Sequence, residues 1–214
     1  MCFSETQSFV NAIALIIGSI YVYPQYRLTI FLIFLALKDL IQGLLYRYQN
    51  NEKIKNILTT LSWVHICFQP LFVNIFMSNF SKNKNNYWNV IFIISFLYGL
   101  YTLTTLNEFD IQNDPDCVAK DNDFCSKNTT SYIGKYHVAY KFSRDNDVLF
   151  FPIIYIILMI LPSLFTSSRF LGIIWGMFAG LIYLIFNNIG EGEKAAIWCY
   201  SSIAFFLPIS LLNK

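Results

Sequence analysis

The sequence predicts an all-α polytopic membrane protein, with about seven transmembrane helices and one extramembrane loop of about 40 residues. Three observations predict it. Charged residues make up only 13% of the 214-residue chain, about half the ~25% of an ordinary soluble domain. Seven apolar stretches recur at 8–24, 28–46, 57–78, 87–106, 148–166, 170–187 and 195–212, each close to the ~20 residues that cross a hydrocarbon core as a helix. Within those seven, the only Asp, Glu, Lys or Arg residues are Lys38 and Asp39. With no water in the bilayer core, such segments must satisfy their backbone groups internally, which leaves the helix. A soluble bundle would show polar faces at a period of ~3.6 residues, and Phe150–Ile160 has none. The same composition excludes a disordered chain, a nucleic-acid binder and a typical soluble enzyme. The whole chain, 1–214, therefore reads as a single transmembrane domain.

The first stretch, 8–24, resembles a signal peptide only in length. Met1–Ser8 holds Glu5 and no basic residue, and Tyr21-Val22-Tyr23-Pro24 replaces a small-residue cleavage site, so a retained helix is expected. Loss of Met1 would leave Cys2 as an N-terminal aminothiol able to bind metal, be oxidised or be acylated. A packed or palmitoylated cysteine is the commoner role. Ser4, Ser8 and Asn11 carry a polar stripe into the helix.

The second stretch contains Lys38, Asp39 and Gln42, which share one broad helical face. Ionisable groups inside a membrane are costly, so each is a functional candidate. They fit a polar lining of a solute path, a proton-handling pair or a structural ion pair. Neighbouring residues on a helix point about 100° apart, which predicts that Lys38 and Asp39 find separate partners on other helices. In the third stretch Ser62, His65 and Gln69 form one stripe, and Trp63, Pro70 and Asn74 the next. Pro70 frees the carbonyl near position 66 and predicts a kink. Zinc sites need three or four convergent ligands. The only other histidine is His137, so a zinc hydrolase of the multi-histidine type is not expected and no metal-ligand set is assigned.

The fourth stretch carries no charge and leads into 107–147, with eight acids against five bases. That segment also holds Cys117 and Cys125, and Asn128 within the sequon Asn128-Thr129-Thr130. A disulfide between the two cysteines and glycosylation of Asn128 both require an oxidising, extracytoplasmic compartment. The sixth stretch places Gly172, Gly176 and Gly180 four apart, a signal for close helix packing. The seventh has Trp198 to Ser202 and Pro208 but no lysine, so it offers no retinal Schiff base.

An odd number of spans, with 107–147 outside, puts the N-terminus outside and the C-terminus in the cytoplasm. Short inner segments then carry Arg27, Lys82, Lys84, Arg169 and Lys214, against Arg47, Lys53, Lys55 and Lys194 outside. Lys and Arg counts thus barely choose a side, and the cysteine pair sets the orientation.

Met1-Cys2-Phe3-Ser4 resembles the opening of an uncharacterised family of small multi-helix membrane proteins from bacteria, eukaryotes and large DNA viruses. The resemblance runs through Lys38-Asp39-Leu40-Ile41-Gln42-Gly43, in the place of a Gln-Leu-Ile-Glu-Gly signature, and through Trp63 to Asn74. The family's Gln and Glu fall on Asp39 and Gln42, which displaces the carboxylate by three residues. It implies a multi-span fold and brings no activity. Pro24-Gln25 also resembles the first motif of PQ-loop transporters, whose second Pro-Gln would fall on Pro162-Ser163. That resemblance implies seven helices and transport.

Two functions from different classes follow. A small-solute or ion carrier or channel would use a polar core of Ser8, Asn11, Lys38, Asp39, Gln42, Trp63, His65, Gln69 and Asn74. A membrane-embedded thiol or metal enzyme would use Cys2 with His65 as its catalytic pair. A third, structural reading has 107–147 bind a protein partner. The expected surroundings are the lipid bilayer and a small solute, and the sequence specifies no cofactor.

Overall fold

The computed structural model describes residues 4–81, 87–106, 129–135, 137–143, 151–166 and Glu193. Helix α1 spans Glu5–Tyr21, α2 Tyr26–Arg47, α3 Glu52–Ser78 and α4 Tyr87–Thr104. Strands β1, Thr130–Ile133, and β2, Val138–Lys141, follow. Helix α5, Phe151–Ile160, runs into a 3₁₀ turn at Leu161–Phe165. Caps explain two of the starts. Ser4 Oγ accepts from Gln7 N at 3.3 Å ahead of α1, and Asn51 Oδ1 accepts from Ile54 N at 3.2 Å ahead of α3. Glu5 and Glu52 add an acid to the first turn of each.

Short links make α1, α2 and α3 antiparallel neighbours; α3 also packs on α4 and α5. The elements sort into two ends. At one, Arg47 pairs with Glu5 at 3.4 Å, and the hairpin β1–β2 lies against α3 and α2. At the other, Arg27 Nη1 donates to Ser78 Oγ at 3.0 Å and Ser81 bridges to Thr166. One hydrophobic cluster, around Phe31, Leu32, Phe76, Met77 and Trp88, lies toward the Arg27–Ser78 end. A second, around Leu45, Trp63, Cys67, Tyr140 and Phe142, lies toward the hairpin.

Helices α1 and α4 turn small and polar residues inward and large apolar ones outward. In α1 the buried side is Ser8, Ala12, Leu15, Gly18 and Ser19, while Ile13, Ile17 and Ile20 are about three-fifths exposed or more (58, 62 and 69%). In α4 the buried side includes Ser95, Gly99 and Thr102, and the outward one Val90, Ile93, Leu97 and Tyr101. Helices α2, α3 and α4 are long and apolar enough to cross a membrane.

One expectation changes. Between residues 129 and 143, an exposed polar loop was expected; the described chain instead forms an antiparallel hairpin with Ile133 opposite Val138. Val138, Ala139, Tyr140 and Phe142 are buried. The reason is local: β-branched and aromatic residues on either side of Gly134 favour paired strands, and Tyr140 and Phe142 bring enough apolar area to dock them. The fold is mostly helical rather than all-α. Pro70 lies inside α3, which runs as one helix from Glu52 to Ser78; with no N–H, it leaves the Ile66 carbonyl without its helical donor. The stretches 170–187 and 195–212 lie outside the described residues, as do Cys2, Cys117, Cys125 and Asn128.

Candidate functional site

The inward faces of α2 and α3 meet in a polar seam beneath the hairpin. Lys38 is 6% exposed, His65 7%, and Asp39 and Gln42 are fully buried. Their placement follows from helix geometry. Lys38 and Gln42 are one turn apart on α2, and Ser62 and His65 one turn apart on α3. A cavity of about 10 Å³ is lined by Lys38, Ile41, Gln42, Ser62, His65, Ile66 and Tyr140. That is the size of a single water molecule.

Lys38 Nζ lies 3.5 Å from Asp39 Oδ1. The expected separate partners are therefore corrected: the two neighbours pair with each other. The long, flexible lysine stem bends around the helix to reach the carboxylate. The ~100° offset still shows in the distance, longer than the ~2.7–2.9 Å of a well-formed charge-assisted hydrogen bond. Among the described residues neither Asp39 oxygen has a hydrogen bond, and both are fully buried.

His65 Nε2 lies 2.9 Å from the carbonyl oxygen of Phe34. A carbonyl only accepts, so Nε2 carries the proton and a neutral ring keeps its lone pair on Nδ1. The Phe34 ring is stacked against two side chains on one face of α3, two turns apart, 3.7 Å from the His65 imidazole and 3.9 Å from the Phe72 ring. This stacking fixes the imidazole plane. Gln42 Nε2 donates to the Tyr140 hydroxyl at 3.2 Å, closing the seam on the hairpin side.

A second polar group lies deeper along α3. Tyr155 on α5 donates to Gln69 Oε1 at 2.7 Å. Asn74 Nδ2 donates to Ser95 Oγ at 3.0 Å and to the Leu158 carbonyl at 3.1 Å, joining α3, α4 and α5. The polar core read from the sequence thus divides. Lys38, Asp39, Gln42 and His65 come together, Gln69 and Asn74 tie helices further along, and Trp63 packs against Phe142 at 4.7 Å. Ser8 is buried and Asn11 half-buried on α1. Among the described residues no group of three His, Cys, Asp or Glu side chains could hold a metal ion.

Three contributors were not read from the sequence. Tyr140 and Tyr155 looked like two of 14 tyrosines in an aromatic chain; strand alternation around Tyr140 was the available signal. Glu193 is 4% exposed and accepts two backbone hydrogen bonds from the hairpin tip, from Lys135 N at 3.0 Å and His137 N at 2.8 Å. A Cβ at Gly134 would come within 2.5 Å of its carboxylate carbon, so only glycine admits this approach. At the same tip, burial pushes the His137 imidazole down to about 3, the Lys38 charge acting in the same direction and a hydrogen bond to the Val138 backbone opposing.

No curated protein and no solved structure matches the chain. The sequence profile of a family of unknown function, DUF5765, matches residues 6–212. With nearly its whole length covered, the chain belongs to that family.

Proposed function

We propose that the chain is a seven-span integral membrane protein that carries a small solute or ion through the polar seam between α2 and α3. The observation that carries this reading is the buried Lys38–Asp39 pair, facing His65 and Gln42 inside a bundle whose outer surface is apolar. Ionisable groups held in a membrane interior mark solute and proton paths. A purely structural pair would more cheaply be replaced by apolar packing. The water-sized cavity and the Tyr140–Gln42 bond correspond to a closed state of such a path.

The seven-span count rests on where the described residues lie. Glu5, Arg47 and the hairpin are at one end, and Arg27, Ser78, Ser81 and Thr166 at the other. Glu193 is back at the hairpin end. Each step between ends coincides with one apolar stretch of the sequence, through the sixth, and 195–212 supplies the seventh. The N-terminus and hairpin share a side in this arrangement. The acidic segment with Cys117, Cys125 and Asn128 makes that side extracytoplasmic.

The enzyme reading has less to support it. His65 lies at the level of Phe34, thirteen residues along α2 from the Arg47 that pairs with Glu5, or about 20 Å of helix. Two residues beyond Ser4 span at most ~7 Å.

Purified protein in liposomes, screened with panels of labelled inorganic ions and small neutral solutes, tests the carrier. Asp39→Asn is expected to cut the flux of the transported species at least tenfold. Flux equal to that of empty liposomes for every species would overturn the reading.

A further inference from the structure

We propose that the seam is a proton-loading site, in which one water molecule bridges His65 Nδ1 and Gln42 Oε1 beside Lys38, and that the proton is the ion the protein carries. The second half rests on the carrier reading; the site itself does not. His65 Nδ1 and Gln42 Oε1 are both buried and, among the described residues, without a hydrogen bond. Each is an acceptor whose companion atom is already committed: His65 Nε2 to Phe34 and Gln42 Nε2 to Tyr140. Ser62 Oγ donates to the Leu58 carbonyl at 3.0 Å, which turns its lone pairs to whatever lies beside it. Buried acceptors left this way call for a donor, and the cavity they line has room for one water.

The donor set decides the ligand. A water molecule gives one hydrogen to Nδ1 and one to Oε1, and can accept from Lys38 Nζ. A metal cation would find too few convergent ligands among the described residues, and an inorganic anion would meet two acceptors. The remaining charged and titratable groups around His65 are Asp39 on α2, paired to Lys38, and the Tyr140 phenol and His137 on the hairpin. Helix α4 brings no charged residue, and its buried Tyr98 adds a phenol beside Cys67 of α3.

The chemistry is a single proton transfer. A proton delivered to the water bonds to the Nδ1 lone pair, giving imidazolium and leaving water in the cavity. Nε2–H stays on the Phe34 carbonyl, which cannot pass a proton on, so release is from Nδ1 back to the same water. Loading and unloading at one atom require the cavity to open alternately to the two sides. This makes a carrier rather than a continuous proton wire.

The full chain labelled with ¹⁵N-histidine, in lipid nanodiscs, tests the site. With only two histidines, the His137→Asn variant leaves a single imidazole. Its spectrum is expected to show the Nε2–H tautomer and, in D₂O exchange and water cross-relaxation experiments, a water contact at Nδ1. An Nδ1–H tautomer, or an Nδ1 without water contact, would overturn the site. Liposomes loaded with a pH-sensitive dye test the carried ion: an imposed pH gradient is expected to relax at least tenfold faster with the wild type than with His65→Gln. Equal relaxation for the two would overturn the proton as cargo. If Asp39→Asn still lowers the flux of some other solute, the carrier reading survives that result.

Discussion

At the scale of the residue, the Lys38–Asp39 pair combines burial with indifferent geometry. The 3.5 Å separation and the lack, among the described residues, of any hydrogen bond to Asp39 mean that little offsets the cost of taking the carboxylate out of water. Removing one partner is worse, because it strands the other charge. Lys38→Met is therefore expected to destabilise the protein by about 3–5 kcal/mol. The double variant Lys38→Met with Asp39→Leu should recover most of that loss. Thermal unfolding in detergent ranks the three proteins, and a single variant as stable as the wild type would show that the pair is not held as ions. The candidate residues of this seam were legible because charge inside an apolar run is conspicuous. Their pairing was not, since sequence spacing gives the direction of a Cα–Cβ bond and not the reach of a four-carbon stem.

At the scale of the element, the helices are held by small residues at close crossings. A Cβ on Gly99 of α4 would lie 2.8 Å from the Phe68 ring and 3.0 Å from the Cys67 carbonyl oxygen of α3. The ring can turn away but the carbonyl cannot, so Gly99→Val is expected to separate α3 from α4 and cost about 1–3 kcal/mol. Phe68→Ala in the same chain should restore only part of the loss. Melting temperatures of the single and double variants measure this, and full rescue would place the clash on the ring alone. Gly43 contrasts with it, because a Cβ there meets only the side chain of Phe9, at 3.0 Å. Helical stretches were readable from hydropathy alone, since length and lack of charge decide them. The hairpin was not, because its strands are four residues each and lie in a segment dominated by acids. Short strands are specified by what they dock against, here α3 and α2.

At the scale of the whole molecule, the hairpin joins distant parts of the chain, and its docking depends on pH. His137 is neutral where it sits, down at about 3 against an ordinary 6.5, and is 1% exposed. Well above pH 6.5 neither the docked nor the undocked form binds a proton there, and the residue contributes nothing to the balance. As pH falls below 6.5 the undocked imidazole takes up a proton that the docked one refuses, so docking weakens, by about 2 kcal/mol at pH 5. Hydrogen exchange of the hairpin amides at pH 7.5 and pH 5, corrected for intrinsic rates, should show this loosening. His137→Asn should flatten the difference. An unchanged pH response in that variant would assign the effect to other groups.

The contact between Glu193 and the hairpin tip also bears on how the protein is made. Glu193 stands 21 residues from the last position of this sequence, yet it closes on amides 56 and 58 residues earlier. Tyr140 in turn reaches back 98 residues to Gln42. A chain synthesised from its N-terminus therefore inserts Lys38 and Asp39 long before the pieces that cover them exist. Until residue 193 leaves the ribosome, the polar seam has an incomplete roof. Translation order thus leaves an early window in which water, or the insertion machinery, must shelter the buried pair.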